Sequence, residues 1–93
     1  MLKVNEYFDG KAKSIAFQTA TLPATIGVFS PGEYEFGTTK KETMTIISGA
    51  VKVLLPGMDE WMTYGAGESF NVAGQASFKV KNDVDVAYLC TYE

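Results

Sequence analysis

Short segments of alternating apolar and polar residues, separated by regular turn signals, constrain this sequence more than any other feature. The segments are mostly 5 to 10 residues long and rich in Val, Ile, Thr, Tyr and Phe. Branched and aromatic side chains of this kind are typical of β-strands. The turn signals between them are Asp9-Gly10, Ser30-Pro31-Gly32, Gly37-Thr38, Ser48-Gly49, Pro56-Gly57, Gly65-Ala66-Gly67, Ala73-Gly74 and Asn82-Asp83.

The alternation has a period of two residues. Ile15 and Phe17 share one face of their segment, and Val51 and Val53 share a face opposite Lys52. Such alternation indicates one buried and one solvated face, as in an antiparallel sheet. We therefore predict an all-β fold of about nine or ten strands in a sandwich or barrel, with residues 1–93 forming one domain. The closing strand should present one side made of Val84, Val86, Tyr88, Cys90 and Tyr92.

The residue types that are missing limit the partners of the chain. All eight basic residues are lysines, and the net charge is −3. A mildly acidic chain without arginine lacks the positive surface of a nucleic-acid binder. No segment approaches the ~20 consecutive apolar residues that span a bilayer, so we expect no membrane partner. The one cysteine, Cys90, leaves no internal disulfide and fits a reducing compartment, so we expect a cytoplasmic protein.

The absence of histidine limits the chemistry as well. General acid–base catalysis would have to use carboxylates, Lys, Tyr, Cys or water. Iron, copper and zinc sites usually depend on His or Cys, so we expect neither a metal nor a cofactor.

Glu42 is the most informative polar residue. It shares parity with Met44 and Ile46 in the segment Glu42–Ser48, so it points into the interior if those two do. A carboxylate at the mouth of an apolar cavity is costly unless it has a partner or a ligand. The alternative is a solvated residue at the start of a strand that balances Lys40 or Lys41.

Two further groups of polar residues have both a functional and a structural interpretation. Asn71 and Gln75 carry amides that can bind a sugar or a base, or can satisfy the backbone of their turns. Lys11, Lys13 and Ser14 could hold phosphate, although lysines on an edge strand also protect against aggregation.

Several of these blocks resemble a known family. Gly32, Glu42 and Gly49 resemble half of the first cupin motif, and Gly67 with Ala73-Gly74 resembles a compressed second one. A longer series of blocks resembles the small pyrimidine/purine nucleoside phosphorylase family of cupin-like proteins. The matching blocks are Asn5-Glu6-Tyr7-Phe8, Gly10-Lys11, Lys13-Ser14-Ile15, Gly32-Glu33-Tyr34 with Phe36, Glu42 with Met44-Thr45, Ile47-Ser48-Gly49-Ala50, Val53-Leu54-Leu55-Pro56, Phe70-Asn71-Val72 with Gly74, and Tyr88-Leu89-Cys90 with Tyr92.

The resemblance implies a cupin-like β-barrel (a jelly roll, or double-stranded β-helix) that forms a homodimer. The activity implied is reversible cleavage of purine and pyrimidine nucleosides by inorganic phosphate, which gives ribose 1-phosphate and the free base. One departure is visible, because Gln75 stands where some members carry His, and Ala73 replaces the preceding Pro. If an imidazole assists the chemistry in those members, it cannot do so here.

Combining the resemblance with the chemistry gives an expected role for each candidate. Glu42 would be the catalytic residue, because it could hold ribose hydroxyls or stabilise a sugar cation. Lys11 or Lys13, with Ser14 or a Thr hydroxyl, would bind phosphate. The expected substrate-binding residues are Glu33, Tyr34, Tyr64, Asn71 and Gln75, with the two tyrosines as walls. The main alternative is a metal-free cupin that binds a sugar or another small molecule without catalysis.

Overall fold

The computed structural model describes residues 2–93 and consists almost entirely of β-strands. Within that range there is no α-helix, and one 3-10 turn covers Phe8–Gly10. The predicted all-β fold of nine or ten strands is therefore confirmed. The ten strands are β1 (Lys3–Tyr7), β2 (Ala12–Gln18), β3 (Pro23–Phe29), β4 (Gly32–Gly37), β5 (Glu42–Ser48), β6 (Ala50–Leu54), β7 (Met62–Gly65), β8 (Ser69–Val72), β9 (Ser77–Asn82) and β10 (Val86–Tyr92).

The strands form two sheets. The order is β1-β2-β3-β10-β5-β8 in the six-stranded sheet and β4-β9-β6-β7 in the four-stranded one. Neighbouring strands are antiparallel in both sheets. Within residues 2–93, no helix is long and apolar enough to cross a membrane.

The inner faces of the sheets enclose the core. Ile46, Val53, Val80 and Val86 are completely buried there. Phe29 packs against Tyr88, with ring centroids 5.7 Å apart. The alternation predicted for β6 is confirmed, because Val51 and Val53 are buried while Lys52 is exposed.

The apolar face of β2 points outward, contrary to the burial that alternation alone suggests. Ile15 and Phe17 are more than a third exposed, whereas Ala12 and Ser14 on the other face are buried. Ile15 pairs with both Val4 and Ile26, so these three side chains form a row on the outer surface of the six-stranded sheet. The alternation was correctly detected, but the small side chains of β2 face the interior.

The inner face of the six-stranded sheet becomes less buried toward its β1 edge. Ser14 on β2 is buried, Asn5 opposite it on β1 is half-buried, and Tyr7 is 46% exposed. Phe8, in the turn after β1, reaches across to Phe36 of β4, with centroids 5.5 Å apart. The interior therefore opens to solvent along β1.

Candidate functional site

Two concave regions are candidates for a binding site. The larger, with a volume of about 810 Å³, is an open groove at the four-stranded sheet, and Glu33, Lys52, Lys81 and Thr63 contribute to its lining. The smaller, of about 190 Å³, lies between the two sheets. The smaller cavity is more enclosed and collects more groups that suit chemistry, so we take it as the candidate site.

The cavity combines aromatic walls with a small set of polar groups. Phe8, Phe36 and Phe78 contribute apolar surface. No lysine lines it within the described residues 2–93. The polar side chains that line it are Tyr7, Ser14, Glu35, Glu42, Tyr88, Cys90 and Tyr92.

Strand β10 supplies three of these groups, at alternate positions along one face. Tyr88 and Cys90 are buried, and Tyr92 is half-buried. Tyr92 pairs with Glu42 at the start of β5, and Cys90 pairs with Met44. The register between β10 and β5 thus brings the carboxylate beside two side chains of the closing strand.

Glu42 receives a hydrogen bond inside the cavity. The Cys90 thiol donates to Glu42 Oε1, with the sulfur and oxygen 3.2 Å apart. Burial raises the pKa of the Glu42 carboxyl above its ordinary value of 4.5, and the Cys90 hydrogen bond opposes that rise only in part. Burial and the neighbouring carboxylate together raise the pKa of the Cys90 thiol. Cys90 is therefore a neutral donor that orients Glu42, not a thiolate nucleophile.

Tyr88 depends on a glycine in the neighbouring strand. A Cβ atom at Gly27 of β3 would lie 2.6 Å from the Tyr88 hydroxyl, so only glycine leaves room for the phenol. Burial is the main cause that raises the pKa of Tyr88 to about 12, and a hydrogen bond with Ser14 lowers it in part. Tyr88 is consequently a neutral hydroxyl at physiological pH.

Tyr92 is half-buried and is held by a residue of the neighbouring strand β3. Its hydroxyl lies 2.9 Å from Thr25 Oγ1. Burial raises its pKa, so it too stays neutral. Of the two carboxylates in the lining, Glu35 is exposed and Glu42 is half-buried among neutral hydroxyl and thiol donors. This arrangement suits a polyhydroxylated ligand, because the Glu42 carboxylate accepts hydrogen bonds from hydroxyls and also stabilises positive charge.

The structure brings together only some of the residues predicted for the site. Glu42 and Ser14 both line the cavity, and Glu42 faces inward as its parity with Met44 predicts. Lys11 and Lys13 are exposed and line neither concave region. Lys13 pairs with Val28 in the outer face of the six-stranded sheet, on the side away from the cavity.

The five predicted substrate-binding residues do not line the cavity. The Tyr34 hydroxyl donates to the Ser30 carbonyl, 2.8 Å away, and Tyr64 packs on Phe70 with centroids 4.7 Å apart. Asn71 Oδ1 accepts a hydrogen bond from Thr43 on the outer face of β5. Gln75 is exposed in a turn with a positive φ of 54°, and Glu33 lies at the outer groove.

Sequence reasoning missed Tyr88, Cys90 and Tyr92 as site residues. Their shared face on the closing strand was visible in the sequence, and it was interpreted as packing. The missing information was the pairing of β10 with β5, which places that face beside Glu42. Across residues 2–93, no group of three or more Cys, Asp or Glu side chains is placed to hold a metal ion.

Comparison with known proteins identifies relatives along nearly the whole chain. A family model described as pyrimidine/purine nucleoside phosphorylase matches residues 2–92. A protein of Marinobacter nauticus named pyrimidine/purine nucleoside phosphorylase is 74% identical over 92 residues, which cover 99% of this chain and 99% of that protein. The resemblance predicted from sequence blocks is therefore confirmed.

Solved structures support the fold. A protein of unknown function from Vibrio parahaemolyticus superposes with a TM-score of 0.95 at 43% identity, covering 100% of this chain and 99% of the other. An RmlC-like cupin from Shewanella frigidimarina superposes with a TM-score of 0.76 at 19% identity, covering 98% and 82%. The predicted cupin-like fold is confirmed.

Replacing Glu42 by Gln should stabilise the protein, and the gain should grow as the pH rises. The raised pKa means that the folded state holds the Glu42 proton more tightly than the unfolded state. That contribution is complete below the ordinary value of 4.5 and is lost as the pH rises through the folded-state pKa. Glutamine keeps the neutral shape throughout, so urea unfolding of both proteins at about pH 4, 5.5 and 7 should give a widening difference in the free energy of unfolding.

The matched control is Glu33→Gln, which removes an exposed carboxylate from the outer groove. It should give no gain that widens with pH, because no buried charge is relieved. If Glu42→Gln showed the same difference at all three pH values, desolvation of Glu42 would be refuted.

Proposed function

The chain belongs to the pyrimidine/purine nucleoside phosphorylase family, and we propose that it cleaves purine and pyrimidine nucleosides with inorganic phosphate. The products are ribose 1-phosphate and the free base, and the reaction is reversible. The observation that carries the proposal within the molecule is the desolvated Glu42 carboxylate, held by Cys90 in the cavity between the sheets.

The reaction develops positive charge on the sugar, which explains the position of Glu42. As the bond between C1′ and the base nitrogen breaks, its electron pair leaves with the base and the ribose gains oxocarbenium character. An oxygen of hydrogen phosphate then forms the new bond to C1′, and the proton that the phosphate gives up reaches the departing base through water. Glu42 stabilises the sugar cation most strongly in this low-dielectric cavity.

The neutral groups around Glu42 suit recognition of ribose. Tyr88 and Tyr92 can exchange hydrogen bonds with sugar hydroxyls without adding a charge that would compete with the carboxylate. Cys90 fixes the direction of the Glu42 carboxylate, and such positioning accounts for much of enzymatic rate enhancement. The reaction needs no resident metal or cofactor, because phosphate is the nucleophile and Glu42 supplies the charge.

A homodimer is the proposed assembly. The outer row of Val4, Ile15 and Ile26 forms an apolar surface with Val28, and the four side chains are 36–63% exposed. Exposed apolar patches of this kind are typical of protein interfaces. Glu6 and Lys13 lie side by side at the margin of this surface. In a dimer whose two-fold axis passes close to them, Glu6 of each protomer would face Lys13 of the other.

The cytoplasm is the proposed location, because the one cysteine is free and buried.

Nucleoside cleavage should require phosphate. Purified protein incubated with a mixture of purine and pyrimidine nucleosides should release free bases and accumulate ribose 1-phosphate, and chromatography measures both products. Equal cleavage in phosphate-free buffer, with free ribose as the product, would make the protein a hydrolase. Sugar or nucleoside binding without any cleavage would favour the non-catalytic cupin.

Glu42→Gln should reduce turnover roughly 30- to 1000-fold, because loss of a charge contact made in the transition state typically costs ~2–4 kcal/mol. Steady-state phosphorolysis assays measure the effect. Lys79→Gln is the control, since Lys79 is exposed on β9 and lines neither concave region. Full turnover by Glu42→Gln would show that the carboxylate is not catalytic.

Val28→Lys should shift the protein from dimer to monomer at micromolar concentration, because it adds a second positive charge beside Lys13 on the proposed interface. Light scattering should show the mass falling by half. Met58→Lys is the control, since Met58 is 55% exposed in the loop between β6 and β7. A monomeric parent protein, or a dimer that survives the Val28 change, would contradict this interface.

A further inference from the structure

Phosphorolysis needs a positive group that the cavity itself does not contain. Glu35 and Glu42 both contribute to its lining, and within residues 2–93 no lysine does. A phosphate dianion brought beside a partly desolvated carboxylate is repelled unless a cation or strong hydrogen-bond donors lie close by. Given the proposed function, the phosphate subsite should therefore lie where the cavity meets donors on a neighbouring surface.

The strand register identifies one lysine on the inner face of the six-stranded sheet, which is the face that lines the cavity. Lys3 of β1 pairs with Ala16, Ala16 pairs with Thr25, and Thr25 pairs with Cys90. Directly paired residues project to the same side of a sheet, so Lys3 leaves the six-stranded sheet on the side of Cys90 and the cavity. Among the strand lysines of residues 2–93, Lys3 alone does so, while those that face outward are Lys13, Lys52, Lys79 and Lys81.

Two neutral donors lie next to Lys3 on the same face. Asn5 is two residues further along β1, about 7 Å away along the strand. It pairs with Ser14, and its Nδ2 donates to Ser14 Oγ at 3.5 Å. Ser14 is only 4% exposed and lines the cavity, so the hydrogen-bonded pair of Asn5 and Ser14 connects the exposed β1 edge, where Lys3 lies, with the site.

We propose that inorganic phosphate binds on the inner face of β1 and β2, against the Lys3 ammonium, the Asn5 amide and the Ser14 hydroxyl. This surface is open to solvent at β1, so phosphate can enter it without passing Glu42. Lysine binds phosphate as a point charge on a flexible stem, while the amide and hydroxyl supply directional hydrogen bonds.

The proposed subsite and the catalytic carboxylate lie on different strands of the same sheet. Lys3 is on β1 and Glu42 is on β5, and β2, β3 and β10 lie between these two strands, which corresponds to about 19 Å along the sheet. Both side chains project from the inner face of the sheet, so they approach the space between them from opposite sides. A ribose between them would have phosphate on the Lys3 side of C1′ and the carboxylate on the other, so attack and charge stabilisation come from different directions.

The experiment compares the Michaelis constants for phosphate and for nucleoside in three classes of lysine variant. Lys3→Gln should raise KM for phosphate roughly 10-fold or more, and should change KM for nucleoside less than about two-fold. Lys52→Gln, on the outer face of the other sheet, is the matched control and should change neither constant. Lys11→Gln and Lys13→Gln test the competing assignment that the sequence suggested.

Thermal unfolding checks that each variant is folded, and Lys3 is exposed, so its substitution should leave the melting temperature unchanged. Asn5→Ala should also raise KM for phosphate, but by a smaller factor than Lys3→Gln does. The inference is overturned if Lys3→Gln keeps the parent KM for phosphate, or if all the lysine variants raise it equally, which would indicate a general field effect.

Titration calorimetry of the free protein with phosphate alone, and with ribose 1-phosphate, separates this inference from the proposed function. Weaker binding of phosphate to Lys3→Gln than to the parent supports the subsite even if no nucleoside is cleaved. Normal nucleoside cleavage with unchanged phosphate binding in Lys3→Gln refutes the subsite while the proposed function stands. Loss of ribose 1-phosphate binding alone would overturn the subsite for free phosphate.

Discussion

The two-residue alternation along β10 is the constraint on which the rest of the structure depends. This strand lies between β3 and β5 in the six-stranded sheet, and its inward face changes from apolar to polar along its length. Val86 is completely buried in the core, Tyr88 and Cys90 are buried in the cavity lining, and Tyr92 lines the cavity but is only half-buried. A slip of one residue would turn all four side chains outward and remove both core and site. Packing and function therefore depend on the same register.

The electrostatic character of the cavity follows from that arrangement. Neutral donors surround Glu42, and no lysine of residues 2–93 forms an ion pair with it, so burial raises its pKa. A carboxylate that is paired with a cation in the protein would destabilise the folded state less. It would, however, stabilise the positive charge that develops on the sugar less strongly. The protein tolerates a modest loss of stability at this position, as functional sites often do. Cys90 limits that loss with one hydrogen bond and adds no charge.

The fold and part of the site were predictable from sequence, for reasons that differ between residues. Strand parity is a local property, so the inward direction of Glu42 and the number of strands could be derived from the sequence. Ile15 and Phe17 show the limit, because parity does not say which face meets the other sheet. Lys11 and Lys13 were chosen because they are close in sequence, whereas their position depends on long-range pairing. Tyr88 could be assigned only after β10 was known to lie beside β3, where Gly27 leaves room for its ring.

The size of the cavity connects this geometry to the range of bases that the enzyme accepts. Sites that enclose a drug-sized ligand usually measure about 300–1,000 Å³, whereas this cavity is about 190 Å³. It can enclose a ribose but not a whole nucleoside, so the base must extend toward the open side. A hydrophobic or solvated contact discriminates weakly between bases, while buried polar groups that lose their partners discriminate strongly. In the proposed site the buried polar groups would face the sugar, so selection would act on ribose and the same site would cleave purine and pyrimidine nucleosides.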